Sequence, residues 1–467
     1  MILNIVPGSI SGLTDYEKSA FQDLLQIYAA HNEKNIEKEK YYEGKISLGL
    51  VNLGIALPNG LTGLEIGCAW GAKCVDVLAA RSMFDGFVGE NGEDVDQLNA
   101  LVVDNRLIAE YMKACRDELK YGCTFATLSK DKQIGCKVRF HSPMTAAGRW
   151  DGDKGRIAYG FAIIDTAPDN NSDSTWSPSV INLYLDYAVL VFKRSGSKWS
   201  FMRYPNKMDR PLMEPLVWNA TSSKPFGRSR IKEPVRRLIQ GYVRTIANAT
   251  IGLEFATAPQ KYLLGITDDQ YDAVINQKFR QYVGNILAST VNPETGEKPT
   301  FGQLQQGSIS SHVEMLRILA TQFSSATGLT VSDTGVVNDA NPTSSDAILA
   351  QSQTLVAMAE QLNTGNGNAL RTIALMALAI SNDKRLEDLS DEDKAIIAHF
   401  KNPAMPSVAV TADAAIKLAS ARQSFAETDT FLEMVGFDQA DIRRIKAQES
   451  RARGMALLAQ IENEELD

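Results

Sequence analysis

The chain has 467 residues, 44% hydrophobic and 22% charged, with a formal net charge of −8. That length allows roughly two to four structural units rather than one core. The acidic balance excludes a conventional nucleic-acid-binding surface, whose affinity comes from basic groups that neutralise phosphates, but leaves open a protein that encloses or guides nucleic acid.

The opening "MILNIVPGSISG" breaks at Pro7 and Gly8 where a signal sequence would stay apolar, so the expectation is a protein made and kept in a cytoplasm. Residues 14–40 predict a helix with Phe21, Leu24, Leu25 and Tyr28 at three- and four-residue spacing. The stretch "GLEIGCAWGAK" at 63–73 has the texture of the Gly-rich loop of methyltransferases, which bends beneath S-adenosylmethionine. Its details argue otherwise. "LPNGLTG" before it is turn-forming and leaves a strand of three residues, Ala69 stands where the loop wants its middle glycine, and Trp70 adds bulk. The better reading is a tight entry into a helix.

Asp94 to Lys120 predicts a second helix, carrying Val95, Leu98, Leu101, Val102, Leu107, Ile108, Tyr111, Met112 and Leu119. From 122 to about 218 the pattern changes to strands. "CKVRF" alternates Val138 and Phe140 with charge, and "INLYLDYAVLVF" sets Ile181, Leu183, Leu185, Tyr187, Val189 and Val191 on one face. "TAPDNNSDSTWSP" between them reads as a loop.

The second half predicts mostly helix. "EPVRRLIQGYVRTIANATIGLEF" starts on a Pro suited to a first turn and sets Arg237, Gln240, Arg244 and Asn248 opposite its apolar stripe. A short helix in "TDDQYDAVINQKFRQYV", a turn in "NPETGEKP" and an amphipathic helix in "SSHVEMLRILATQFSSATG" follow. "LTVSDTGVVNDANP" reads as a loop. Thr343 to Ile380 is helical, interrupted at "NTGNGN", and holds only Asp346, Glu360 and Arg371 as charges, so it is buried on most sides, in a subunit interface or inside an intramolecular bundle. Its run "IALMALAI" is far shorter than the roughly 20 residues a bilayer requires. The five cysteines, without a CxxC, read as reduced core thiols, and the four histidines, far apart, weaken a metal site.

Seven segments in order resemble the Gp6-like group of tailed-bacteriophage portal proteins. They are "YYEGK" at 41–45, "GAKCVDVLAARSMFDGF" at 71–87, "YGCTFATLSKD" at 121–131, "FHSPMTAAGRWD" at 140–151, "PFGRSRI" at 225–231, "NPTSSDAILAQSQTLVAMAEQL" at 341–362 and "NPAMPSVAVTADAAIKLA" at 402–419. The resemblance implies an α+β portal fold with a β-rich wing, two stem helices, an α/β clip, a long wing helix and a helical crown. It also implies a helix at the second segment whose Val75, Leu78 and Ala79 pack inward before a turn at Asp85-Gly86, and it implies no catalysis and no cofactor. Its expected partners are copies of itself in a ring, twelve-fold in the virion, double-stranded DNA in the channel, the terminase large subunit, a head-tail adaptor, and the major capsid and scaffolding proteins, with no membrane. The expected place is the portal vertex of the capsid, after assembly in the host cytoplasm.

Carried onto this chain, the resemblance makes 1–226 the wing, 227–254 and 309–327 the stem helices, 255–308 the clip, 328–342 the tunnel loop, 343–381 the long wing helix, and 382–467 the wing return and crown. Thr330, Ser332, Asp333, Thr334, Val336, Val337, Asn338 and Asn341 would face DNA from the tunnel loop; the alternative is a plain helix–helix connection. Arg237 and Arg244, about 10 Å apart along a helix axis, and Arg236 would be sparse phosphate contacts, or else a solvated outer face or salt bridges to the neighbouring subunit. In the clip, Asp268, Asp269, Lys278, Arg280, Glu294, Glu297 and Lys298 would meet terminase or adaptor. A methyltransferase, which requires a parallel sheet after residue 70, and another head-tail connector component such as an adaptor are the rival readings.

Overall fold

The computed structural model describes all residues except 1–2, 4, 48–64, 90–95, 170–171, 197, 258–260, 265–295, 297, 299, 304–308, 337–344, 405–407, 438 and 465–467. In chain order it has α1 (Asp15–Tyr42), β1 (Lys45–Ser47), β2 (Glu65–Gly67), α2 (Trp70–Ala79), β3 (Phe84–Val88), α3 (Asp96–Asp104) and α4 (Leu107–Tyr121). Eight strands follow: β4 (Cys123–Asp131), β5 (Gly135–His141), β6 (Ala146–Asp151), β7 (Arg156–Asp169), β8 (Ser172–Tyr184), β9 (Ala188–Ser195), β10 (Lys198–Pro205) and β11 (Met213–Val217). Next come α5 (Glu233–Thr257), β12 (Lys261–Leu264), β13 (Thr300–Gln303), α6 (Ser310–Thr327) and α7 (Ser345–Ser381). The C-terminal part holds α8 (Asp391–Lys394), β14 (Ile397–Phe400), α9 (Val408–Ala421), α10 (Asp429–Val435) and α11 (Gln439–Glu464). Every described strand pair is antiparallel, and the class is α+β, as expected. The chain divides into two units, one of residues 1–39, 74–231 and 343–467, the other of 40–73 and 232–342.

In the first unit a five-stranded sheet, ordered β10-β9-β8-β7-β6, carries one core. α1 lays Phe21, Leu24 and Tyr28 on it, against Phe161, Ile181, Leu183, Leu190 and Phe192, with the Phe21 and Phe192 rings 5.0 Å apart. The helix begins on a capping box that reads Thr-x-x-Glu. Glu17 N–H donates to Thr14 Oγ1, and Thr14 N–H donates to Glu17 Oε2. The same Glu17, fully buried, takes two bonds from Arg203 at 2.8 and 3.0 Å. Burial alone would raise its pKa, but the Arg203 and Thr14 bonds hold it below the usual range.

A three-stranded sheet, β11-β4-β5, is covered by α4 and α7. Between these helices lies a buried polar chain. Asn366 Nδ2 donates to Glu118 Oε2 at 2.8 Å and to Tyr111 Oη at 2.9 Å, and Tyr111 Oη sits 2.6 Å from Ser82 Oγ. β14 pairs with β3, where Phe84, Phe87 and Phe400 cluster with Tyr111.

The structure departs from several sequence expectations. "NTGNGN" does not interrupt α7, because Asn366 is buried and its amide is held by Glu118 and Tyr111. The 94–120 helix is two, broken at Asn105-Arg106, where Arg106 takes a left-handed φ of 50° and Asn105 bonds Cys136 O and Val138 N. Ile108 and Met112 are exposed. Asp85-Gly86 lies inside β3 rather than in a turn. "INLYLDYAVLVF" is a hairpin, so its apolar face resets at Asp186-Tyr187. Leu183 and Leu185 are followed inward by Ala188, Leu190 and Phe192, while Tyr187 is exposed. "TAPDNNSDSTWSP" is largely the paired arms of β7 and β8, not a loop. α7 packs on β4, β5, β11 and β14 of its own chain.

A braced helix pair as the candidate functional site

The second unit contains the elements expected to form the stem. α5 turns Val235, Ile239, Val243 and Ala247 inward, the i, i+4 face the sequence period sets. α6 turns Leu319, Ala320 and Phe323 inward, and the two helices pack together. Leu319 meets α5 at Gly241, where an added Cβ would stand 3.1 Å from its Cδ2.

Trp70 joins both helices. Its ring is 3% exposed and lies 4.7 Å from the Phe323 ring and 4.6 Å from the Tyr242 ring. Its indole Nε1–H donates to Thr334 O at 3.0 Å. Within "GLEIGCAWGAK", Trp70 therefore acts as a bolt between the two helices. The strand of this stretch is the three-residue β2, paired antiparallel with β1. Gly71 is required because an added Cβ would stand 1.9 Å from the Tyr41 carbonyl oxygen. Cys68, buried, has its thiol pushed up to about 11 by that burial.

The described part of the tunnel-loop segment is an ordered turn. Gly328 ends α6 in a left-handed conformation. Asp333 Oδ2 then accepts from Thr330 N at 2.9 Å and Thr330 Oγ1 at 2.8 Å, closing a single 3-10 turn at Ser332–Thr334. Ser332 is exposed, Asp333 and Val336 half-buried, and Thr334 buried. Val337, Asn338 and Asn341 lie outside the described residues. So do Asp268, Asp269, Lys278, Arg280, Glu294 and Glu297 of the expected clip, while Lys298 is described and exposed.

The basic residues have separate tasks. Arg230 belongs to the first unit, where it is buried and donates to Cys74 O. On α5, Glu233 accepts from Arg236 at 2.5 Å and from Arg237 at 2.8 Å, and the Arg237 and Arg236 bonds hold its carboxyl below the usual range. Arg236 is mostly covered and lies over the Tyr41 ring, 5.9 Å from its centre. Arg237 keeps 73% of its side chain exposed, and Arg244 is exposed. These bridges lie within α5 and occupy Arg236 and part of Arg237. Sequence reasoning missed Trp70, Tyr242, Phe323 and Tyr41. The readable signal was a large aromatic beside a glycine at a helix start.

All five cysteines are buried, and none forms a disulfide. Among the described residues no group of His, Cys, Asp and Glu is placed to hold a metal, and no helix is long and apolar enough to cross a membrane.

The described sheets are all antiparallel, and the residues with the texture of a cofactor loop take part in aromatic packing. A family described as phage portal protein, SPP1 Gp6-like, matches residues 24–455, and the chain belongs to that family. The family is a non-enzymatic component of the virion capsid, so the chain has a portal or head-tail connector role, and the methyltransferase reading is set aside. Among solved structures, the chain is similar to a protein of the neck of an empty GTA particle computed with C6 symmetry. The TM-score is 0.45 at 11% identity, covering 75% of this chain and 84% of that one. It is also similar to a protein of the neck of a native GTA particle computed with C12 symmetry, with a TM-score of 0.42 at 10% identity over 79% of this chain and 89% of that one. No curated protein matches.

Proposed function

We propose that this chain forms a homo-oligomeric ring, twelve-fold in the virion, at one vertex of the capsid. Double-stranded DNA is packaged and ejected through it, and it docks the terminase large subunit and then the head-tail adaptor. Assembly takes place in the host cytoplasm with the major capsid and scaffolding proteins. The observation that carries this reading is the portal-family match over residues 24–455. The parts follow the family order: wing 1–226, stem helices 227–254 and 309–327, clip 255–308, tunnel loop 328–342, long wing helix 343–381, wing return and crown 382–467. A net charge of −8 suits a conduit, since a weakly attracting wall lets a duplex slide. Negative-stain images of the purified chain should show rings with a central hole; a uniform monomer would sink the proposal.

Within the ring, Arg237 and Arg244 on α5 are the proposed phosphate contacts, with Arg236 retained for Glu233 and Tyr41. Arg237→Glu with Arg244→Glu should leave rings intact and lower the DNA packaged per particle. Unchanged packaging would remove these two residues from the channel wall. The proposed DNA-facing edge of the tunnel loop is Ser332 and Val336 with Val337, Asn338 and Asn341.

A further inference from the structure

The motif "PFGRSRI" has no place in the portal role above, yet its first five residues line a cavity of about 450 Å³ in the first unit. α1 lines it too, where His31, Lys34 and Lys38 fall at i, i+3 and i+7 and so share one face. Lys224 and Arg228 line it from the loop that carries the motif. None of the lining residues is an aspartate or glutamate, in a chain whose net charge is −8. Among the described residues no carboxylate lies in ion-pair distance of Lys34, Lys224 or Arg228.

The walls are built rigidly. Gly227 takes a φ of +66°, and a Cβ there would lie 2.1 Å from Trp218 O, so only glycine permits the loop. Lys224 and Arg228 are set by backbone bonds, Gly227 N to Lys224 O at 3.0 Å and Arg228 N to Trp218 O at 3.0 Å. Phe226 is fixed edge-on against Phe125 and Trp150, at 5.7 and 5.9 Å. Lys38 Nζ donates to Tyr121 O at 2.9 Å and Asn35 Oδ1 at 3.1 Å. The positive field is felt inside: burial, then Lys34 and Lys38, hold His31 below the ordinary imidazole range.

We infer that this cavity binds a nucleotide, its phosphates among Lys34, Lys38, Lys224 and Arg228 and its base against Phe226. The size lies within the roughly 300–1,000 Å³ of small-molecule sites. Cations a single helical turn apart, joined by two more, match the closely spaced charges of an oligophosphate better than carboxylates spread along a peptide. An aromatic ring in the wall suits a base. The ligand is a free nucleoside phosphate or one nucleotide of a strand, and the inference does not depend on the ring.

Calorimetric titration of the full chain with dATP, inorganic tripolyphosphate, a short single-stranded oligonucleotide and hexaglutamate tests it. The exposed Lys34→Gln, Lys224→Gln, Arg228→Gln triple variant is the comparison, with Lys224→Gln alone should the triple lose thermal stability. Binding of dATP and tripolyphosphate, weakened about ten-fold or more in the variant, supports the site with a free nucleotide as ligand. Binding of the oligonucleotide alone, weakened likewise, supports it with a strand as the source. Hexaglutamate binding as tightly as tripolyphosphate, no binding by any probe, or affinity indifferent to the substitutions would overturn it.

Discussion

Trp70→Ala is expected to destabilise the protein by roughly 3–5 kcal/mol, the usual cost of deleting a large buried aromatic. The ring fills the space between α5 and α6, touching Tyr242 and Phe323, and little of the lost contact can be recovered by collapse. Trp70→Phe separates two contributions. Most of the packing remains, but Thr334 O loses the indole N–H that reaches it at 3.0 Å, at a cost of about 1–3 kcal/mol. Denaturant unfolding should therefore rank wild type above Phe above Ala. A Trp70→Ala protein as stable as wild type would show that the bolt carries no load.

The second large effect is a pH dependence centred on Glu118. Burial raises its pKa from an ordinary 4.5 to about 8, against the smaller opposing effect of the Asn366 hydrogen bond. Below 4.5 the carboxyl is protonated in folded and unfolded chains alike, and its contribution to stability is fully present. Between 4.5 and 8 the folded state keeps a proton that the unfolded state has released, so stability falls as pH rises, by about 1.4 kcal/mol per unit. Above 8 both forms are ionised and the loss is complete. Glu118→Gln keeps the shape and has no proton to lose. The difference in unfolding free energy between variant and wild type should grow from pH 5 to about 8, in the variant's favour, and then level. Parallel stability curves across that range would show that Glu118 does not hold its proton in the fold.

Much of the fold is legible where one period runs uninterrupted. Phe21, Leu24 and Tyr28 declare the buried face of α1, and Val235, Ile239 and Val243 that of α5. The misreadings occur where a few polar residues are satisfied by partners far along the chain. Asn366 looks like a helix breaker until Glu118 and Tyr111 are beside it. Asn105 looks helical until β5 takes its side chain. The hairpin at Asp186-Tyr187 deceives differently, because a two-residue turn keeps alternation while switching its phase. For the candidate site, the arginines of α5 stand out as charge against an apolar stripe. The brace does not, since Trp70, Tyr242, Phe323 and Thr334 share no local pattern.

α7 spans 37 residues, about 55 Å at 1.5 Å per residue. Near its middle, Asn366 keys it to α4 by polar groups. A slide by one turn, about 5.4 Å, would carry that amide away from Glu118 and Tyr111 and present apolar Leu362 or Leu370 to them instead. Two buried acceptors would lose their donor at once, so the helix has a single permitted register. A displacement applied at one end of α7 must then appear at the other, because the keyed helix can tilt or travel with α4 but cannot slip past it.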